Sequence, residues 1–500
     1  MDLFTYERIN ETTWMYVSSF LILSFFFKFN RAWSIRNLDL FLIILLAPGL
    51  LLIQSGRLQH SQYLQQRSLQ QSGPEAETES IPIASVVSAS YAQQDDGSLD
   101  SMSPEEPGLQ DPPALATSDF NQPGMSRQRY GYYWMFGVGG LIMLRMLVDP
   151  VLERRPVLEP NLSIGGMVFV GVSLLVFVLA NVATYSHSHQ EIDGAVNAEK
   201  MLRLEAASDS EDVDLIQRGP GLRLLFLLPV LSTFDGEFDP GTSRDRYIVA
   251  AKSVAIASQL LIVLGLILFC HHHFDNFHVG VGIATIYMML PYTAIFAGSV
   301  LHTIPAALLI WALLCYRIPF VSGIFLGLAT GVSYYPLFLL ALWISFYWER
   351  GWRSFLLGFA LSIGVCIGVL FFTSADSVDF FRQLQAMFAF WFPLMENLEG
   401  IWALGVSRIW RLPLLVGFGA LSISFAFWPS EKTIGTLIAY SAVLMAAVQF
   451  WHGFGGGLYV AWYLPLALLV IFRPNVVGRT AQAEVPAPRR RSLSVESATT

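Results

Sequence analysis

Between residues 244 and 359 the chain is a succession of apolar runs, of which 246–269, 279–296 and 300–316 each approach the roughly 20 residues that a helix needs to cross hydrocarbon. Short polar turns separate them, so the chain is polytopic. Composition agrees: 54% of the residues are hydrophobic and 14% are charged, against about 25% charged in an ordinary soluble protein. The length is taken up by about thirteen apolar segments and two polar loops. The expected fold class is therefore an all-α integral membrane protein with about 11–13 transmembrane segments and two long outer loops. The net charge of −8 says little, because the acids sit in those loops, and no nucleic-acid surface is implied. Cys270, Cys315 and Cys366 lie in or beside apolar spans and report no redox compartment.

Charge placement orients the spans. The first, residues 13–29, follows Asp2, Glu7, Arg8 and Glu11 rather than a basic leader, so it reads as a retained anchor. Lys28, Arg31 and Arg36 crowd the turn before the second span, residues 38–53. Basic short loops stay in the cytoplasm, which puts the N-terminus outside. Spans 131–148 and 162–184 flank Glu153, Arg154 and Arg155, again on the cytoplasmic side. The same alternation puts Arg317, Arg350, Arg353, Lys432 and the tail with Arg473, Arg479 and Arg489 to Arg491 inside. Arg145 is the one clear charge within a span. Arg317 and Arg350 can share a side only if residues 320–348 bend; residues 320–330 rise only about 16 Å at 1.5 Å per residue. A re-entrant hairpin is expected there, lined by protein or a wet cavity.

The chain divides into two N-terminal helices (1–54), an acidic Gln/Ser/Pro-rich outer loop (55–130), a third helix with a basic turn (131–161), a transmembrane core (162–473) and a basic tail (474–500). The first loop has little apolar periodicity and is expected to be disordered. The second, residues 185–245, differs: 191–204 has helical periodicity, and 224–230 is apolar but too short to span, so it should lie along the interface.

Five marks punctuate the core: LPY at 290–292, LHTIP at 301–305, YRIP at 316–319, GIFLGLATGVSYYP at 323–336 and ERGWR at 349–353. Their order resembles the GT-C class of multi-spanning glycosyltransferases that take sugars from polyprenyl-phosphate carriers, the mannosyltransferase branch being nearest. The resemblance implies glycosyl transfer at the outer face of the plasma membrane, with membrane lipid and a polyprenyl-phosphate-linked sugar donor as partners. Such transfer needs a base for the acceptor proton and cationic or donor groups for the charge left on the phosphate. In that class an acid follows the first core span, and TYSHSHQEIDGAVNAEKML supplies Asp193, the first choice as base, and Glu191, the second. The alternative is that both cap and solvate a loop helix. His302, before Pro305, is placed to bind phosphate or sugar, or is an interfacial histidine at a turn. Where relatives carry a cation before the hairpin proline, this chain has Tyr334 and Tyr335, so Arg382, Arg408 or Arg411 would replace it; Arg408 and Arg411, three apart, would share one helical face.

Other strings carry less. Asp235, Glu237 and Asp239 could hold a divalent cation, although the full calcium-loop pattern is absent; no cofactor or metal ligand set is fixed. His187 and His189 fit either acid–base partners or polar filler. HHHFDNFH at 271–278 pairs His271 with Asp275 on the cytoplasmic side, where a polar turn suffices. GFGGG at 453–457 has no following GK[ST] and reads as a flexible outer turn. The rival reading is a non-catalytic scaffold that keeps the fold, or a transporter; a transporter would show internal repeats and charges in mid-span, and the sequence has no repeat.

Overall fold

The computed structural model describes residues 10–71, 122–152, 158–187, 189–203, 219–233, 240–374, 376–388, 398–475 and 479–486. Among them the regular structure is helical, with one isolated antiparallel bridge between Thr433 and Thr480. Seven helical stretches are long and apolar enough to cross a membrane: Ile35–Ser68, Met125–Val151, Ile164–Ala183, Arg244–His273, Trp352–Thr373, Arg408–Phe427 and Ile434–Trp451. Five shorter apolar helices lie among them. The chain is an all-α, multi-pass membrane protein, as hydrocarbon demands of segments that must pair their own backbone groups.

The helices run between two ends of one bundle. Helix α1 (Glu11–Phe26) starts with Trp14 on Phe177 of α5 (Ile164–Ala183) and ends with Phe26 edge-on to Phe472. The chain then turns through α2 (Ile35–Ile44) and α3 (Leu46–Gln71), and α4 (Met125–Val148) returns. At the end reached by Phe26 and Phe472 lie the turns expected to be basic and inside. Lys28 donates to Asn161 at 2.8 Å, Arg317 pairs with Glu484 at 2.5 Å, and Arg350 donates to the carbonyls of Gln482 and Val485. Arg479 donates to the carbonyl of His273. The loop bearing α6 (His189–Leu202) and α7 (Pro220–Thr233) lies at the opposite end, where α8 (Pro240–His273) begins.

A buried ion cluster ties the basic end together. Arg145 grips Asp39 through two bonds of 2.7 and 2.9 Å and reaches Asp149 at 3.0 Å. Arg473, just past α18 (Leu464–Phe472), donates twice to Asp149, and Arg36 donates to the carbonyl of Arg473. Arg145 is therefore not an isolated charge. Its partner Asp39 lies in the neighbouring span, because charges removed from water persist only when paired.

The second span does not stop at residue 53. Helix α3 continues to Gln71, so the first part of the loop expected to be disordered is helix, and residues 72–121 lie outside the described ones. The extension is held by close packing on α4. Gly56 and Gly124 meet backbone to backbone, and a Cβ on Gly131 would lie 2.8 Å from the carbonyl of Gly49. Without side chains between them the two helices approach closely, the usual device where lipid gives no hydrophobic drive to helix pairing.

The expected bend is present. After α9 (Phe277–Met289), α10 (Pro291–Ile295) and α11 (Val300–Leu314), helix α12 (Pro319–Val332) ends at Ser333, which is extended. A 3₁₀ turn (Tyr335–Leu339) and α13 (Leu340–Phe346) bring the chain back, and α14 (Trp352–Thr373) sets out again parallel to α12. Gly323 faces Phe355, Gly327 faces Phe359 and Ser362, and Gly331 faces Cys366, while Gly351 packs on Pro319 at the shared start. Amphipathic α15 (Ser377–Phe388) follows, then α16 (Arg411–Phe427) and α17 (Ile434–Trp451). Helix α17 is buried along nearly its whole length and forms the central pillar.

Candidate functional site

At the end away from the ion cluster, four element junctions converge. Pro291 forces Leu290 out of the helical region, ending α9 and starting the short α10 that carries Tyr292. Helix α11 begins two residues before His302. The break after α12 delivers Tyr334 and Tyr335. Helix α17 ends at His452, and the glycines that follow fold back upon it: Gly455 and Gly457 have positive φ, and Gln449 Oε1 accepts the N–H groups of Gly457 and Tyr459 at 3.1 and 3.2 Å. The GFGGG segment is thus a buried turn rather than a flexible outer one, because Gln449 satisfies its backbone.

The result is a continuous column of rings. Phe296 stacks on His302 at 4.4 Å and 7°, His302 on Tyr459 at 4.4 Å and 19°, Tyr459 on His452 at 4.8 Å, His452 on Tyr335 at 4.6 Å and Tyr335 on Tyr334 at 4.0 Å. Both histidines are more than nine-tenths buried. His452 Nδ1 accepts from the backbone N–H of Phe454 at 3.1 Å, so its proton is on Nε2. His302 Nδ1 lies 2.5 Å from the Tyr292 hydroxyl; with the phenol as donor, its proton is on Nε2 as well. Among the described residues neither Nε2 has a hydrogen-bond partner.

Arginines flank the column. Arg411 is 4% exposed, donates through Nε to the carbonyl of Trp451 at 3.1 Å, and sits against Gly453, where any side chain would collide with its guanidinium. Its charge reaches His452, Tyr334 and Tyr335. Arg57, near the middle of α3, donates to the hydroxyl of fully buried Tyr132 on α4 at 3.0 Å, and its charge reaches His302, while the charge of Glu399 reaches the same hydroxyl. Gly400 packs on the same hydroxyl, its absent Cβ 3.2 Å away, and the neighbouring Glu399 anchors its N–H on the Gly453 carbonyl at 2.9 Å. Imidazole N–H donors with a guanidinium nearby can stabilise negative charge that develops on a bound group.

Of the residues singled out in the sequence, His302 and Arg411 come together here. Arg408 does not join them. It is exposed in a 3₁₀ turn (Arg408–Trp410) before α16, off the buried stripe of Arg411, Phe418, Ser422 and Phe425, so the two arginines do not share one helical face. Arg382 is on α15, paired with Asp379 at 3.0 Å. Asp193 is half-buried on α6, which packs on α7 and α8; Gly194 beside it rests on Phe226. Glu191 shares that helix, but its side chain is outside the description, as are Asp235, Glu237, Asp239 and the side chain of His189. His187 is buried edge-on to Tyr185 at 5.0 Å, and burial first, with the Lys252 ammonium second, pulls its pKa down to about 4. Among the described residues no three His, Cys, Asp or Glu side chains cluster as a metal site.

His452, Gln449, Tyr459, Tyr292, Arg57, Tyr132 and Glu399 were not singled out by the sequence reading. One signal was available: Gln449 and His452 are polar side chains ending an apolar span, a costly placement that marks function or structure. No family model, characterised protein or solved structure matches the chain.

Proposed function

We propose that the protein is a membrane glycosyltransferase with a GT-C-like core over residues 162–473, moving a sugar from a polyprenyl-phosphate carrier to an acceptor hydroxyl at the outer face of the plasma membrane. In this reading the acceptor oxygen bonds to the sugar's anomeric carbon and the bond from that carbon to the phosphate oxygen breaks. The phosphate leaves with the electron pair, and the acceptor proton passes to Asp193, or to Glu191 as second choice. His302 and Arg411 hold the leaving phosphate. One observation carries the proposal: two buried histidines, whose Nε2 atoms have no hydrogen-bond partner among the described residues, lie in one ring column beside Arg411 at the end of the bundle that bears the α6–α7 loop. That is a donor set suited to a phosphate ester next to lipid. The break after α12 supports it further, since irregular backbone at membrane depth belongs beside a cavity or protein interior.

The test is transfer in proteoliposomes supplied with polyprenyl-phosphate sugars. Asp193→Asn should lower the rate by about 10²- to 10⁴-fold, the contribution of a general base, with expression unchanged and Glu191→Gln as the comparison. Activity of the Asp193 variant within a few-fold of the parent eliminates Asp193 as the base. If no such donor is turned over by the parent, the chain is a non-catalytic scaffold or a transporter.

A further inference from the structure

We propose that the groove between the ends of α13 and α16, at the basic end of the bundle, seats this chain's own tail, with Arg489, Arg490 and Arg491 on Glu349 and Glu431. The inference is independent of the transfer reading, since the groove lies at the end of the bundle away from the ring column.

The groove is a cavity of about 720 Å³. Its apolar wall is Ile344 and Phe346 of α13, Trp348 just beyond, and Phe427 at the end of α16. Three charged side chains line it: Glu349, Glu431 and Lys432. Both carboxylates are exposed, and among the described residues neither has a hydrogen-bond or ion-pair partner. Lys432 is different. Only 4% exposed, it turns its ammonium to the carbonyls of Ala426 and Pro429 at 3.2 and 2.8 Å. The charge that the groove offers to an occupant is therefore negative, which favours a cationic segment over an anionic headgroup.

The third wall says which segment. It is made by Thr480, Ala481 and Gln482, so the tail itself begins there. The short helix α19 (Ala481–Glu484) is pinned from two sides: Arg350, the residue after Glu349, donates to the carbonyls of Gln482 and Val485 at 2.6 and 2.9 Å, and Arg317 pairs with Glu484 at 2.5 Å. The last described residue, Pro486, follows Val485 directly, and Arg489 comes three residues later, at most about 10 Å further along the chain. Three consecutive arginines are thus tethered at the mouth of a groove that carries two carboxylates without partners. A tether this short gives an effective concentration in the millimolar range, so weak contacts suffice. Leu493 and Val495 follow two apart. An extended segment sends both to one side, and the apolar wall is suited to receive them.

The experiment is photocrosslinking of the full chain in nanodiscs of phosphatidylcholine, with p-benzoylphenylalanine in place of Leu493 and the attachment sites read by mass spectrometry. Expected are links to residues 344–349 and 426–432 of the same chain. Glu349→Gln with Glu431→Gln should cut their yield about tenfold, which two partly exposed charge pairs are together worth. Both carboxylates are exposed, so the variant is expected to fold as the parent does. Exchanging the charges, with Glu349→Lys and Glu431→Lys in the groove and Arg489→Glu, Arg490→Glu and Arg491→Glu in the tail, should restore the links. Attachment mainly to lipid overturns the inference, because the arginines then serve the membrane surface. So does attachment between isotopically heavy and light chains in a mixed sample, which makes the occupant a second copy. A yield that the double glutamine variant leaves unchanged overturns it as well.

Discussion

His187 shows how a single side chain in the loop layer becomes pH-sensitive. Burial and the nearby Lys252 hold it neutral, with a pKa of about 4 instead of 6.5. Because the folded value is depressed, the unfolded chain binds the extra proton first. The stabilisation is complete above about pH 6.5 and is lost as pH falls toward 4, where both states are charged. The melting temperature of the detergent-solubilised protein should therefore drop through this window. His187→Phe, which keeps a ring against Tyr185, should flatten that drop, and superimposable curves for the two proteins would rule the effect out. At this same scale the sequence was a partial guide. His302 stood out because it sits between an apolar run and a proline; His452, its structural counterpart, was hidden beside five residues read only for their glycines. Asp193 was legible as an acid on a helical loop segment, but nothing in the string fixes its distance from the ring column.

The helix pair α12–α14 is the element that most depends on particular residues. Glycines at 323, 327 and 331 let two helices run parallel in close contact, and a Cβ at Gly327 would stand 2.7 Å from Ser362 Cβ and 2.8 Å from the Phe359 carbonyl. Gly327→Val should then overpack the interface by about 1–3 kcal/mol, read as a lower melting temperature. Gly364→Val is the matched control, since its Cβ would meet nothing within 4 Å; equal losses in the two variants would contradict the packing argument. The bend itself was foreseeable, because arginines at both ends of a segment too long for a turn and too short for two full crossings leave few geometries. That the glycines in it face a parallel neighbour was not, since the repeat of four reads equally as flexibility in a hairpin.

For the molecule as a whole, the bases of the short loops gather at one end. Lys28, Arg36, Arg145, Arg317, Arg350, Arg473 and Arg479 all belong to one end, joined by Asp39, Asp149 and Glu484. If basic short loops face the cytoplasm, a cysteine introduced at Asp100 should be labelled by an impermeant reagent in intact cells, and one at His272 only after permeabilisation. The reverse pattern would invert the orientation and with it the outer-face reading of the site.

What the sequence by itself determined is what hydrocarbon enforces residue by residue: helices where apolar runs approach membrane thickness, alternation where short loops are basic, and a break where proline and glycines interrupt a span. Each depends on local composition. Only the tertiary structure decided which polar residues meet. Asp39 found Arg145 across 106 positions, Arg473 reached Asp149 across 324, and His302 was stacked between Phe296 and Tyr459. The physical reason is that a buried polar group must find its partner in space, and in a bundle of antiparallel and parallel helices that partner is set by which helices pack together, not by spacing along the chain. The same holds for Arg57, which meets the Tyr132 hydroxyl because α3 continues past its apolar stretch and α4 packs against it glycine to glycine.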